Sequence, residues 1–390
     1  MRLAVNGRFY AAPLTGVQRF AVEVTRRLAQ LAEVELFLPA GAEAPSEVAA
    51  RVGIHRGRLR GHAWEQLELP AALARARCDV ELHLAGTAPL SAAGHVLAIH
   101  DLLPLSNPEW FGRRFRLWRG AVLRRSAPRA GAVLAVSDWA AEEVKRRLGV
   151  APRRLFVVTQ GLEPFDAPAP AGAVARVRAR YALPERFLLA VGAGDPRKNL
   201  GFLETVRECW RAAGGAPPPL VVVGGSAPRV HPAAARGDAP FARIYPPPGP
   251  EPRPPAAPAH LDRAAGGALL LGRVPDDELH ALYTAASALC FPSLAEGFGR
   301  PPLEALACGT PAVAADYAAA REVLGRWLPV LPLDAALWAR TLAELVAGGP
   351  ARDATLALGR GLPGRFRWDT AAAQVISACH AAAAERGGRP

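Results

Sequence analysis

The chain has 390 residues, 51% of them hydrophobic and 21% charged, which is enough to bury two substantial cores and too apolar for disorder. Its longest apolar runs, ALLL around Leu270 and AVLAV around Val133, are strand-length and fall well short of the roughly 18 to 20 residues of a membrane span. The formal charge of +12 suggests nucleic acid, but the basic residues are scattered and lack interleaved aromatics, which argues against such a partner.

Arginine supplies 45 of the 47 basic residues; the only lysines are Lys145 and Lys198, and the only asparagines are Asn6, Asn107 and Asn199. Abundant Ala, Arg, Gly and Pro beside scarce Lys, Asn and Ile is the mark of a GC-rich coding background, so much of the charge is compositional. The start, MRLAVNGRFY, reads directly as a strand without a signal-peptide stretch. Five cysteines with no CxxC spacing read as reduced thiols of a cytoplasmic protein, not as a disulfide framework or a zinc site.

In chain order, strand-type runs fall at 3–6, 34–38, 96–100, 132–136 and 155–158. Between the first two, Val17, Phe20, Ala21, Val24, Leu28 and Leu31 mark one face of an amphipathic helix. A second helix is expected at 138–148, with acidic residues early, basic residues late and Gly149 as terminator. A Pro/Ala-rich stretch at 164–172 reads as a linker. The pattern restarts with strands at 187–191, 220–223, 268–271, 288–291 and 312–314. The Pro-rich stretch 226–260 reads as an exposed, flexible insertion. Alternation of strands and helices implies an α/β protein with two Rossmann-like, doubly wound domains, at 1–165 and 180–365. Ligands of such domains bind at the carboxyl ends of the strands, so a cleft between the two is the expected site.

The strongest motif is AEGFGRPPLEALACGTP, directly after the strand ending at Phe291. Glu296 and Glu304 are separated by seven residues. Pro301 or Pro302 suits the first turn of a helix that stops at Gly309, and its dipole end favours an anion. Gly297 and Gly299, flanking Phe298, allow close backbone approach to a ligand. Glu304 is placed to reach a ribose diol and Glu296 to face sugar hydroxyls. An ordinary capped helix start is the plainer alternative.

At this point the chain resembles the retaining GT-B glycosyltransferases of family 4. The Glu-x7-Glu arrangement carries the resemblance, and TGVQRFAVEV, VLAIHDLLPLSNPEWF, VSDWAAEEVKRRLGV, FLLAVGAGDPRKNL and LGRVPDDELHALYTAA are similar to family segments in the family order. In VGAGDPRKNL, a helix is expected to open near Asn199, with Arg197 and Lys198 at its entrance able to neutralise a diphosphate. The resemblance implies that this pair binds the donor phosphates and stabilises the leaving group without a metal or other cofactor. It implies that the Gly16 backbone approaches the donor phosphate and that His100, with Asp101 beside it, contacts the donor sugar. Gln160 stands where the family more often has asparagine. The helix after Trp368 is expected to pack back toward the first domain.

The implied activity is retaining transfer of a hexose from a nucleotide-diphosphate sugar, GDP-mannose being favoured, to a glycan or lipid-linked acceptor in bacterial surface polysaccharide synthesis. The alternatives are a GT-B sugar-nucleotide epimerase and a non-catalytic sugar-nucleotide-binding subunit. A separate expectation concerns FGRRFRLWRGAVLRR: Phe111, Phe115, Trp118 and Val122 share a helical face amid Arg113, Arg116, Arg119 and Arg124. That face either leans on an anionic membrane at its cytoplasmic side or is buried in the first domain.

Overall fold

The computed structural model describes residues 1–192, 195–224, 262–263 and 268–387. The expected insertion at 226–260 lies outside the described residues. The chain divides into two compact units, one of Met1–Pro108, Arg113–Gly161 and Phe366–Pro390, the other of Glu109–Gly112 and Leu162–Arg365.

The first unit is built on β1 (Arg2–Asn6), β2 (Glu33–Leu38), β3 (Gly53–Arg56), β4 (Val80–His83), β5 (Val96–Ile99), β6 (Ala132–Ala135) and β7 (Leu155–Val157). All are parallel, in the order β3-β2-β1-β4-β5-β6-β7. The direction of winding reverses between β1 and β4, which makes their carboxyl ends the switch point of the sheet. Side chains alternate between the faces, as a strand's period of two requires. Leu3, Val5, Leu36, Leu82, Ala98 and Leu134 pack one face, while Leu97, Ile99 and Val133 pack the other.

The first face is covered by the helix Gly16–Leu31, through Phe20, Val24 and Leu28, and by the C-terminal helix Trp368–Gly387, through Trp368, Val375 and Cys379. Phe20 meets Trp368 edge-on, with ring centroids 6.1 Å apart. Gln374 Oε1 accepts from both the amide and the hydroxyl of Thr159, at 2.9 Å each. The last helix is therefore an integral layer of the first unit.

β3 and β4 escape the sequence reading. β3 is an edge strand with mostly exposed residues, and β4 is the short VELH, with polar residues at its second and fourth positions. The helix Asp138–Leu148 has the expected bounds: Ser137 Oγ accepts from Ala140 N at 3.1 Å, and Gly149 ends it with a φ of 65°.

The second unit carries β8 (Leu188–Val191), β9 (Leu220–Val223), β10 (Asp262–Arg263), β11 (Leu269–Gly272), β12 (Ala288–Phe291), β13 (Ala312–Ala315) and β14 (Val330–Leu331). Their order is β10-β11-β9-β8-β12-β13-β14, parallel except for the β10–β11 pair. Winding reverses between β8 and β12. Leu188, Ala190, Val222, Cys290 and Val313 pack one face with Leu203, Val206 and Trp338 from the helices Phe202–Ala212 and Ala335–Ala347.

The stretch expected to be a linker is largely part of this unit. Leu162 and Phe165 are buried, Ala169 N donates to Thr284 Oγ1 at 2.8 Å, and His280 Nε2 donates to Ala167 O at 2.6 Å. The unit begins at Leu162 and not at 180, because apolar side chains interrupt the Pro/Ala run and dock on the helix Asp276–Ala285. All five cysteines are free thiols.

Candidate active site

In the second unit, the loops after β8 and β12 meet at the switch point. β8 leads to a 3-10 turn, Pro196–Lys198, capped by Asp195, whose Oδ1 accepts from Arg197 N at 3.0 Å. The helix expected to open at Asn199 begins at Phe202 instead. Asn199 adopts a left-handed conformation, φ 49°, which an α-helix cannot include and which asparagine tolerates better than most residues. Arg197 and Lys198 thus project from a tight turn.

That turn aims both cations at Glu296. Arg197 Nη1 donates to Glu296 Oε2 at 2.9 Å, Lys198 Nζ donates to Oε1 at 2.5 Å, and Arg197 Nε donates to Asp195 Oδ2 at 2.7 Å. The Lys198 and Glu296 side chains are only 13% and 12% exposed. Lys198 Nζ also lies 5.0 Å over the Phe291 ring, and a Cβ added at Gly192 would sit 3.0 Å from Lys198 Cγ. A slim stem with a compact ammonium fits this slot.

Burial alone pushes the Glu296 carboxyl up, but Arg197 and Lys198 outweigh it and hold the group below the usual carboxylate range. Burial lowers Lys198, opposed by Glu296. Two cations and two carboxylates leave the cluster close to neutral.

The loop from Glu296 runs through Gly297, Phe298 and Gly299 into the helix Arg300–Ala307. Phe298 is buried, so what this position offers a ligand is backbone. Gly299 has a φ of 92°, in the left-handed region that favours glycine. Pro301 and Pro302 both fall in the first turn, where they bring the dipole end but no N–H donors. Glu304 is buried one turn on. Tyr283 donates to its Oε2 at 2.7 Å, and Arg300 Nη2 lies 2.9 Å from its Oε1. Asp195, Tyr283 and Arg300 escape the sequence reading, since each acts on its glutamate or arginine partner through the folded structure.

The first unit has its own polar centre at the β1/β4 switch point. Glu65 is completely buried, and its Oε1 accepts from Asn6 Nδ2 (2.9 Å), Arg8 Nε (3.1 Å) and Thr87 Oγ1 (2.8 Å). His62 Nδ1 donates to Oε2 at 3.1 Å. Arg8 Nη2 donates to Thr87 at 2.6 Å, and Asn6 Nδ2 also approaches His83 Nδ1 at 3.2 Å. Scarce asparagine was the only sequence signal for this network.

Around it stand the other expected residues. His100 follows β5, is buried, and donates through Nε2 to Leu84 O at 3.0 Å; burial lowers its pKa, so the ring is neutral near pH 7. Asp101 Oδ1 accepts from Leu103 N at 3.1 Å and caps the following turn. Gly16 is the exposed first residue of its helix, with nothing within 4 Å of an added Cβ. No packing in the unit demands glycine there.

The helix Arg113–Ser126 divides along its length. Phe115 and Leu117 are 51% and 59% exposed, whereas Val122 and Leu123 are fully buried. Arg119 is not part of an outer basic face, because its Nη1 donates to Gly86 O at 2.5 Å and a Cβ at Gly86 would lie 2.3 Å from Nη2.

Residues 14–164 match the family model Glycosyltransferase Family 4, and residues 178–353 match Glycosyl transferases group 1. The chain is 30% identical over 409 residues to a D-inositol 3-phosphate glycosyltransferase of Salinispora arenicola, covering 91% of this chain and 84% of that protein. The chain belongs to glycosyltransferase family 4. Among its family 4 relatives is the serotype-specific mannosyltransferase WbdA of Escherichia coli, 30% identical over 237 residues. That alignment spans 59% of this chain but 26% of WbdA, about a quarter of the relative's length. The structure of Anabaena HepE, solved with UDP and glucose, superposes with a TM-score of 0.68 at 15% identity over 96% of this chain and 98% of that one. That likeness establishes the GT-B fold.

Stability should register the Glu65 network. Burial pushes its carboxyl up, but His62, Arg8, Asn6 and Thr87 together hold it at about 2, below the ordinary 4.5. A depressed carboxylate stabilises the fold fully above its unfolded pKa, and this contribution is lost as pH falls toward the folded value. Urea unfolding between about pH 5 and about pH 2.5 should therefore show a loss on the order of 2–3 kcal/mol that the Glu65→Gln variant lacks. Parallel pH profiles for the two proteins would contradict this assignment.

Proposed function

We propose that this family 4 enzyme is a retaining, metal-independent hexosyltransferase that moves mannose from GDP-mannose to a glycan or lipid-linked acceptor in bacterial surface polysaccharide synthesis. The observation that carries the reading is the Arg197–Lys198–Glu296 cluster at the switch point of the second unit, within the group 1 match. The kinship with WbdA favours mannose as the sugar. The kinship with a D-inositol 3-phosphate glycosyltransferase shows that neighbouring sequences use other acceptors.

In this mechanism Arg197 and Lys198 turn from Glu296 toward the donor diphosphate and supply the charge stabilisation that a metal ion would otherwise provide. The bond from the sugar C1 to the β-phosphate oxygen breaks as the acceptor oxygen bonds to C1 from the same face. The acceptor proton passes to the departing phosphate. Glu296, released from its cations, faces the sugar hydroxyls, and Glu304 accepts from the ribose. The roles given above to Gly16, His100 and Asp101 belong to this proposal, as does backbone contact from Gly297, Phe298 and Gly299.

A peripheral membrane contact is a second element of the proposal. No helix among the described residues is long and apolar enough to cross a membrane. The exposed Phe115 and Leu117 beside Arg113, Arg114 and Arg116 support contact with an anionic surface. Flotation with anionic liposomes should fail for an Arg113→Glu/Arg116→Glu variant; equal flotation would exclude this contact. Arg119 is unsuitable for that test, because it holds the interior of its unit.

Lys198→Ala should lower the transfer rate by about tenfold to a thousandfold, by analogy with loss of one transition-state donor, with the fold checked by circular dichroism. An unchanged rate in folded protein would remove Lys198 from the mechanism.

A further inference from the structure

Beside the Glu296 loop, the Tyr317 hydroxyl has no hydrogen-bond partner among the described residues. Tyr317 follows β13, at the same edge of the sheet as the Glu296 loop, and is 7% exposed. Its hydroxyl is buried and makes no hydrogen bond among the described residues. A buried hydroxyl left unpaired is costly, so such a group in a native fold calls for a ligand or a function.

Its surroundings say which. An added Cβ at Gly299 would lie 2.4 Å from the Tyr317 oxygen, with Leu324 Cδ1 and Phe291 Cε1 also close, at 3.5 and 3.6 Å. The hydroxyl thus abuts the residue that caps the Arg300–Ala307 helix, beside apolar walls that offer it nothing. At that helix end, Pro301 and Pro302 withhold two of the N–H donors with which a helix start ordinarily holds an anion. Glu296 and Arg197 lie within electrostatic range; burial first, and Glu296 second, raise the phenol well above its ordinary pKa. It is therefore a protonated donor at neutral pH.

We propose that the Tyr317 hydroxyl donates a hydrogen bond to an anionic oxygen of the donor's diphosphate, replacing a donor that the paired prolines remove from the helix start. This rests on the transferase reading and adds a ligand contact to it. It also gives Gly299 a second reason to be glycine: any side chain there would displace the hydroxyl.

The test is Tyr317→Phe, which keeps the ring and deletes the donor. Calorimetric titration with GDP, UDP and dTDP first identifies which diphosphate the unaltered enzyme binds, and the corresponding nucleoside serves as control. The variant should bind that diphosphate about 10- to 100-fold more weakly, as expected for one hydrogen bond to a charged acceptor, with nucleoside affinity unchanged. Its melting temperature without ligand should be equal or higher, because an unpaired buried hydroxyl has been removed. Equal diphosphate affinity in the two proteins would overturn the proposal, and so would a lowered melting temperature with nucleoside and diphosphate weakened alike. No binding of any diphosphate by the unaltered enzyme would instead overturn the transferase reading beneath it.

Discussion

The second unit is organised by one buried carboxylate. Glu296 is held by Arg197 and Lys198 from a different loop, and Leu294 N closes the same junction by donating to Arg197 O at 2.7 Å. Removing one partner from a buried pair typically costs about 3–5 kcal/mol, because the other charge is stranded. The loops after β8 and β12 are therefore locked together where the sheet reverses its winding. The same lock concentrates two cations at that switch point, where the proposed transfer has a diphosphate exchange with Glu296. The capped turn, the left-handed Asn199, the slot beside Gly192 and the Phe291 ring all serve to hold that cluster in register.

The first unit repeats the principle with different chemistry. Its switch point also holds a buried glutamate, but Glu65 is saturated by Asn6, Arg8, Thr87 and His62. Such a network is rigid and gives little to a ligand. It anchors the loop after β1, which runs on toward Gly16, and fixes Arg8 on Thr87, beside the Gly86 carbonyl on which Arg119 docks. The contrast is physical: Glu296 is held by two cationic side chains, whereas Glu65 shares its bonds among Asn6, Thr87, His62 and one arginine.

Much of this was legible in the residues. Apolar runs bounded by Gly and Pro located the long central strands, and the charge order in 138–148 gave that helix its ends. Glu-x7-Glu after a strand, with Arg-Lys after another, marked the two loops that meet at the second switch point, and the rarity of lysine and asparagine made Lys198, Asn199 and Asn6 conspicuous. What escaped depends on distance in sequence. β3 and β4 are stabilised by register against β2, β1 and β5, not by their own pattern. Glu65 sits in an unremarkable helical stretch, and Arg119 looks like one more arginine on a basic helix. Tyr317 and Gly299 are 18 positions apart, and nothing local signals that a hydroxyl meets a glycine there. Pro196 and Asn199 did carry a local signal, a turn before the helix, that the reading of a helix start at 199 passed over.

The proposed transfer needs a nucleotide-diphosphate site that works without a divalent cation. A thermal-shift screen with GDP, UDP, dTDP and their common sugars, in the presence of EDTA, addresses it most directly. Binding to the native state alone should raise the melting temperature with one nucleotide family, increasingly with concentration, and EDTA should leave that shift intact. No shift with any of them in folded protein, or a shift that EDTA abolishes, would contradict the account.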